Sequence, residues 1–512
     1  MQTKLNAREN FHRSAILNTA ATWGETVVRA IVGFLLNPFT NSILGQQMFG
    51  VWQVLGQLNS FMVVGDMRVA TTLKWLIAKD RSVKSDRELR IMFSASFFAN
   101  IILMPIQILA GLFLVWVSPI VSKAEAHEYS SVRIASCLLV GSFVFTQFFF
   151  IYDQVLAGMN LAYKTTWVRL IMIFLGSTLS FVVLKFGWGM VGLSIVSLLV
   201  SIIGGLLVGW VASKSVNWIG LIPVPKSDIL RFIRLTGWFM VGKLIETANA
   251  SVDVLMLSYF AGPKSVTKYV FCKYIIQLVG IFISGFTNAT IVGLGKLLGE
   301  KNILQIIAAR QKLVLMVTWS VAIAGANICV LNRSFVKIWT GQDYLVGQTE
   351  VVLMVLIMFV KIIQDVDGAL ILLSDDAKCI CVTGLKAITV TLSIGCFMIP
   401  KYDQFGLLLS LLSGSIFGLI KFKKRLSIIF GKFEINFLKF LLSRNAFVPM
   451  FLLIVSAFIG SIVKVNHWFG FVICVPLITL LSVGVALVLC CSNAERRSLL
   501  GYCNNTLRKV MR

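Results

Sequence analysis

The stretch Glu25-Thr-Val-Val-Arg29-Ala-Ile-Val-Gly33-Phe-Leu-Leu-Asn-Pro38-Phe39 decides how the chain must be read. It lies in an apolar run long enough to cross a bilayer, yet it holds an acid and a base. Four residues apart, Glu25 and Arg29 share one helix face, with the acid N-terminal, the favourable order. Asn18 and Thr22 continue the same stripe. A charge at the centre of a membrane helix costs about 2.5–3.5 kcal/mol on insertion scales. The stripe is therefore expected to face other protein or a water-filled cavity, not lipid.

Working outward, the 512 residues are 57% hydrophobic and 13% charged, with a mean hydropathy of +0.87. Soluble domains carry roughly 25% charged residues. The apolar material comes in separated runs of about 20 residues, the pattern of membrane helices. The sequence thus predicts an all-α polytopic membrane protein with the first apolar run retained as a span. A net charge of +25 invites a nucleic-acid reading, but the Lys and Arg lie mostly in short loops beside spans, which is the positive-inside pattern. No nucleic-acid partner is expected. The ten Cys are scattered and have no metal-like spacing with His, so neither a metal nor another cofactor is expected.

Fourteen spans are expected, the first near 12–36 closed by Pro38 and the second near 46–78. The basic asymmetry of the loops places both termini on the cytoplasmic side. An N-terminal lobe covers 1–212, a Pro-marked cytoplasmic linker 213–230, a C-terminal lobe 231–423, and a final helix pair with a basic tail 424–512. Gly45-Gln-Gln-Met-Phe-Gly-Val-Trp52 lines up with Gly262-Pro-Lys-Ser-Val-Thr-Lys-Tyr269 at an offset of 217. Asp153-Gln-Val-Leu156 lines up with Asp367-Gly-Ala-Leu370 at an offset of 214. Two six-helix halves related by an axis along the membrane normal fit both matches, the parallel-repeat arrangement of some transporters.

The charges inside spans form the candidate site. Arg29, Lys243, Lys273, Lys361 and Arg68 are the expected cavity cations. Glu25, Glu246, Asp253, Asp66 and Asp365 are the expected counter-charges or ion-coupling groups. Lys243, Glu246, Asn249 and Asp253, spaced 3, 3 and 4, make one stripe of span 7. Lys74, Asp153 and Asp367 lie toward span ends, where snorkelling is open to them. Such a set suits an anionic head group in a hydrated chamber, or alternatively a set of interhelical ion pairs that fix packing. Gly237 to Lys243 matches GxxxxGK but lacks the following Ser/Thr and lies in an apolar helix, so it is no nucleotide loop. The short outer loops offer no domain for an enzyme acting on sugars. Gly205-Leu-Leu-Val-Gly209 fits a small-residue packing face.

Phe34-Leu-Leu-Asn-Pro38, Ile43-Leu-Gly45, Phe49-Gly50-Val-Trp52 and Leu156-Ala-Gly158 with Lys164 beyond resemble the Wzx-like O-antigen flippases of the multidrug/oligosaccharidyl-lipid/polysaccharide (MOP) exporter superfamily. The resemblance covers the whole chain through its plan of two six-helix lobes and a final pair. It implies a non-enzymatic, multi-pass protein of the bacterial inner membrane, acting in lipopolysaccharide or other polysaccharide biosynthesis. It further implies alternating-access transfer of undecaprenyl-diphosphate-linked oligosaccharide to the outer leaflet, with polysaccharide assembly proteins as partners. A diphosphate head needs Arg or Lys in a low-dielectric cleft. A lipid-linked peptidoglycan precursor flippase, an ion-coupled multidrug antiporter and a non-transporting assembly partner stay open. A major-facilitator transporter is disfavoured, because its Gly-x-x-x-Asp-Arg loop after span 2 is missing.

Overall fold

A computed structural model of the chain describes residues 2–64, 69–81, 83–300, 302–344, 346–374, 376–431 and 444–489. Asp66, Arg68 and the basic tail lie outside the described residues. Among the described residues all regular structure is helical. Nine helices among the described residues are long and apolar enough to cross a membrane, which makes this a multi-pass membrane protein.

Helix α1 runs Gln2–Ser60, straight through Pro38. The expected end at Pro38 is therefore corrected. A single proline removes one backbone bond, and membrane helices tolerate this where neighbours cover the gap. Beside it Phe39 stacks on Phe181 of the fifth helix at 4.3 Å, so the turn around the proline packs against a neighbouring helix. The break falls at Gly45 instead, with φ 77° and ψ 164°. This conformation is essentially confined to glycine. Beyond the kink α1 reaches Ser60, a single 3₁₀ turn follows at Phe61–Val64, and α2 begins at Val69 and ends at Asp80. The second apolar segment is thus broken rather than continuous.

The remaining helices of the first part are α3 (Asp86–Val121), α4 (Tyr129–Gly158), α5 (Thr166–Lys185), α6 (Gly189–Ser215) and α7 (Lys226–Ala261). A Ser85–Glu88 capping box starts α3. It satisfies two otherwise orphaned N–H groups. The surfaces are apolar outward, as lipid requires: Ile102, Ile106, Leu109, Phe113 and Trp116 of α3 are exposed. Gly205 and Gly209 of α6 face Phe149 of α4, and an added Cβ at Gly205 would lie 2.3 Å from that ring. The small-residue motif is therefore a packing face. The connection after α6 is strapped down: Arg90 donates to the Trp218 carbonyl at 2.9 Å, and Ser94 accepts from the Ile222 N–H at 3.0 Å.

The chain divides into two compact units, Met1–Thr267 and Lys268–Arg512. Helix α7, from the segment assigned to the second lobe, packs within the first unit, against α1, α2 and α3. Its Ser251 donates to Gln57 at 2.9 Å and meets Ser60 at 3.1 Å. Gly262 ends α7 with φ 86° and ψ 169°, nearly the backbone of Gly45 at the position aligned with it in sequence. The two turns touch: Gln46 donates to the Lys264 carbonyl at 3.1 Å, and Thr267 donates to the Gln46 carbonyl at 2.6 Å. An added Cβ at Gly50 would fall 2.0 Å from the Pro263 carbonyl oxygen.

Helix α8 (Pro263–Gly299) starts at the end of the first unit, and the second unit holds the rest of it with α9 (Ile303–Thr340), α10 (Gln348–Leu373), α11 (Ala377–Phe430), α12 (Arg444–Ile462) and α13 (Trp468–Leu489). Helix α11 continues through Pro400 and kinks at Asp403, which has φ 49° and ψ −121°. Its core joins Ile306, Val366, Leu370 and Leu426. Inside it Arg310 and Asp367 form a two-pronged ion pair at 2.7 and 2.8 Å, 2% and 0% exposed. Asp367 therefore does not snorkel. Nor does Asp153, which is ion-paired as described next.

Candidate functional site

The polar stripe of α1 meets the turn between α4 and α5. Asn18 donates to the Asn160 side chain at 2.7 Å and accepts from the Tyr163 N–H at 2.7 Å. Thr22 and Thr26 return their hydroxyls to carbonyls one turn back, each at 2.8 Å. These bonds orient the helix so that Glu25 points at α5. Its Oε1 accepts from Arg29 Nη2 at 2.8 Å and Nε at 3.1 Å, and its Oε2 accepts from Arg169 Nε at 2.7 Å.

Arg169 is the hub. Its Nη1 donates to Asp153 at 2.9 Å and to Thr165 at 2.7 Å. Its Nη2 donates to the Ala162 carbonyl at 3.4 Å and the Thr166 hydroxyl at 3.3 Å. Thr165 also donates to Asp153 at 3.0 Å. A guanidinium has five N–H donors, and all three of Arg169's nitrogens are engaged. Arg29 differs. It is 60% exposed, and among the described residues it contacts Glu25 alone. Three of its five donors stay available.

These charges close one end of a cavity of about 750 Å³ within the first unit, lined by α1, α4, α5 and α6. Arg29, Asp153 and Arg169 supply the polar end. Val32, Leu36, Phe149, Met172 and Val200 are among the apolar lining. Two acids and two bases make the cluster formally neutral, but its most accessible member is a cation. An anion entering the cavity meets Arg29 first.

The other expected site residues stand elsewhere. Lys243 pairs with Glu246 on α7 at 2.5 Å, and Glu246 is 68% exposed. Asp253 is buried and accepts from the Val254 N–H at 2.8 Å. Lys273 of α8 lies 5.3 Å from the Tyr269 ring centroid. Lys361 and Asp365, one turn apart on α10, are both exposed. None of these lines the cavity just described. Arg169 was not foreseen, although it sits four residues after Thr165 within an apolar run. Lys164 five residues earlier disguises it as part of a basic flank.

No family model and no curated protein matches the sequence. Solved structures do match in fold. The lipid II flippase MurJ in an inward closed conformation superposes with a TM-score of 0.67 at 14% identity, over 92% of this chain and 98% of that one. An inward-facing multidrug resistance MATE family transporter of the MOP superfamily gives 0.58 at 14% identity, over 79% and 95%. A Vibrio cholerae MATE transporter gives 0.57 at 14% identity, over 82% and 98%. The chain has the fold that this flippase and these transporters share.

Proposed function

We propose that this protein is a flippase carrying undecaprenyl-diphosphate-linked oligosaccharide from the cytoplasmic to the outer leaflet by alternating access. The observation that carries this reading is Arg29, a cation with free donors at the polar end of a largely apolar cavity among membrane helices. A diphosphate head needs charge-assisted donors out of water, and Arg matches its geometry. We keep Lys243, Lys273, Lys361 and Arg68 as further head-group cations, with Glu246, Asp253, Asp66 and Asp365 as counter-charges, although Lys243, Lys273 and Lys361 do not line this cavity. The matching backbone at Gly45 and Gly262 supports two repeated halves; we take fourteen helices with both termini inside.

A second reading is favoured by the likeness to MurJ: the cargo is then a lipid-linked peptidoglycan precursor, with the same polar anchor. Leaflet-specific labelling of lipid-linked oligosaccharide in cells with and without the protein tests the proposal. Build-up on the cytoplasmic leaflet in its absence supports flipping. Loss of all lipid-linked intermediates instead assigns the protein to assembly, and unchanged outer-leaflet delivery removes the proposal.

A further inference from the structure

The cavity beside Arg29, about 750 Å³, is much larger than a diphosphate needs, and its charges are confined to one end. From Arg169 to Ser180 it follows α5 for eleven residues, about 16 Å at 1.5 Å per residue. Three of the four hydroxyls lining it bond back to their own helices: Thr146 donates to the Ser142 carbonyl, Ser177 to Phe174 and Ser201 to Ser197, at 2.8 to 2.9 Å. Thr146 also reaches Ser201 at 3.1 Å. With these three donors satisfied, the wall is mainly apolar, Ser180 being the fourth hydroxyl on it. The polar end lies beside the α4–α5 turn and the apolar wall runs away from it. With that turn on the cytoplasmic side, this is the polarity of an inner-leaflet lipid, head toward the cytoplasm and chain toward the midplane.

We propose that the cavity is a loading groove for the translocated lipid itself: Arg29 takes its phosphate, and the wall between α5 and α6 takes the first part of its hydrocarbon chain. The inference rests on the flippase reading and deepens it. The occupant has an anionic phosphate-bearing head and an apolar chain, because a chain-free anion would leave the apolar length empty and a neutral lipid would leave the donors of Arg29 beyond its Glu25 contact unused. Bulk phospholipid shares this chemistry. The test separates the two sources.

A photo-crosslinking amino acid is placed at Ser177, inside the groove, and separately at Phe174, on the exposed outer side of the same helix. The full-length protein in phosphatidylglycerol-containing nanodiscs is given labelled undecaprenyl phosphate. The groove predicts capture at Ser177 that excess unlabelled undecaprenyl phosphate displaces, and that extra phosphatidylglycerol or inorganic phosphate does not. Capture at Phe174 is not displaced. Ile173→Trp, which fills the groove, lowers capture at Ser177 at least about tenfold, while thermal unfolding followed in the same samples reports folding. Equal displacement by phosphatidylglycerol, or identical behaviour at the two positions, overturns the inference. Outer-leaflet delivery without displaceable capture at Ser177 overturns the groove alone. Displaceable capture without delivery overturns the flippase reading and leaves the groove standing.

Discussion

Arg29 and Arg169 share the carboxylate of Glu25, and the proposed function gives them different work. Arg169→Ala removes the Nε contact to Glu25 and the Nη1 contact to Asp153, at 2.7 and 2.9 Å. Hydrogen bonds to charged groups contribute about 1.5–3 kcal/mol each. All three side chains are 25% exposed or less, so the loss is only partly screened. Glu25 keeps Arg29 and Asp153 keeps Thr165, which lowers the sum to about 2–4 kcal/mol. Arg29→Ala removes a contact whose cation is 60% exposed, worth about 0–1 kcal/mol. The assay pairs thermal unfolding of purified protein with leaflet-specific labelling in cells. Arg169→Ala is expected to unfold several degrees lower and to be depleted from the membrane. Arg29→Ala is expected to unfold like the parent and to fail in delivery. The reverse pattern, or equal stability loss for both, refutes the assignment of anchor to Arg169 and ligand contact to Arg29.

The ion pair in the second unit gives a complementary test. Arg310→Leu strands Asp367 and is expected to cost about 3–5 kcal/mol, whereas Arg310→Leu with Asp367→Leu recovers most of it; unfolding midpoints of the two variants decide, and an additive double mutant contradicts the pairing. Gly45→Ala and Gly262→Ala each force a side chain into a backbone region that disfavours it, at about 1–3 kcal/mol, so each is expected to lower the unfolding temperature; no change in either contradicts the kinks. Arg29→Lys keeps the charge but loses the planar fork, so delivery is expected to fall between that of the parent and Arg29→Ala.

Local pattern made much of the molecule legible. The i, i+4 spacing of Glu25 and Arg29 forecast their pairing, and the offset that aligned Gly45 with Gly262 pointed to two turns of the same backbone. What local pattern does not carry is the partner across the fold. Arg169 meets Glu25 across 144 residues of sequence, and its place five residues after Lys164, near the start of the run, reads as ordinary basic flanking. Arg310 and Asp367 stand near the starts and ends of apolar runs, where long side chains normally reach for water. Only packing of α9 against α10 turns them into a dry pair. Pro38 misled for a related reason: a proline tends to stop a helix in water, but in this bundle the adjacent Phe39 stacks on Phe181 and the helix continues to Gly45.

The central claim is that an accessible arginine among membrane helices holds the head of a lipid in transit. Leaflet-specific labelling of lipid-linked oligosaccharide in cells carrying Arg29→Ala, matched to the parent for membrane abundance, tests it most directly. The account predicts label retained on the cytoplasmic leaflet as in cells lacking the protein; outer-leaflet label at the parent's level would contradict it.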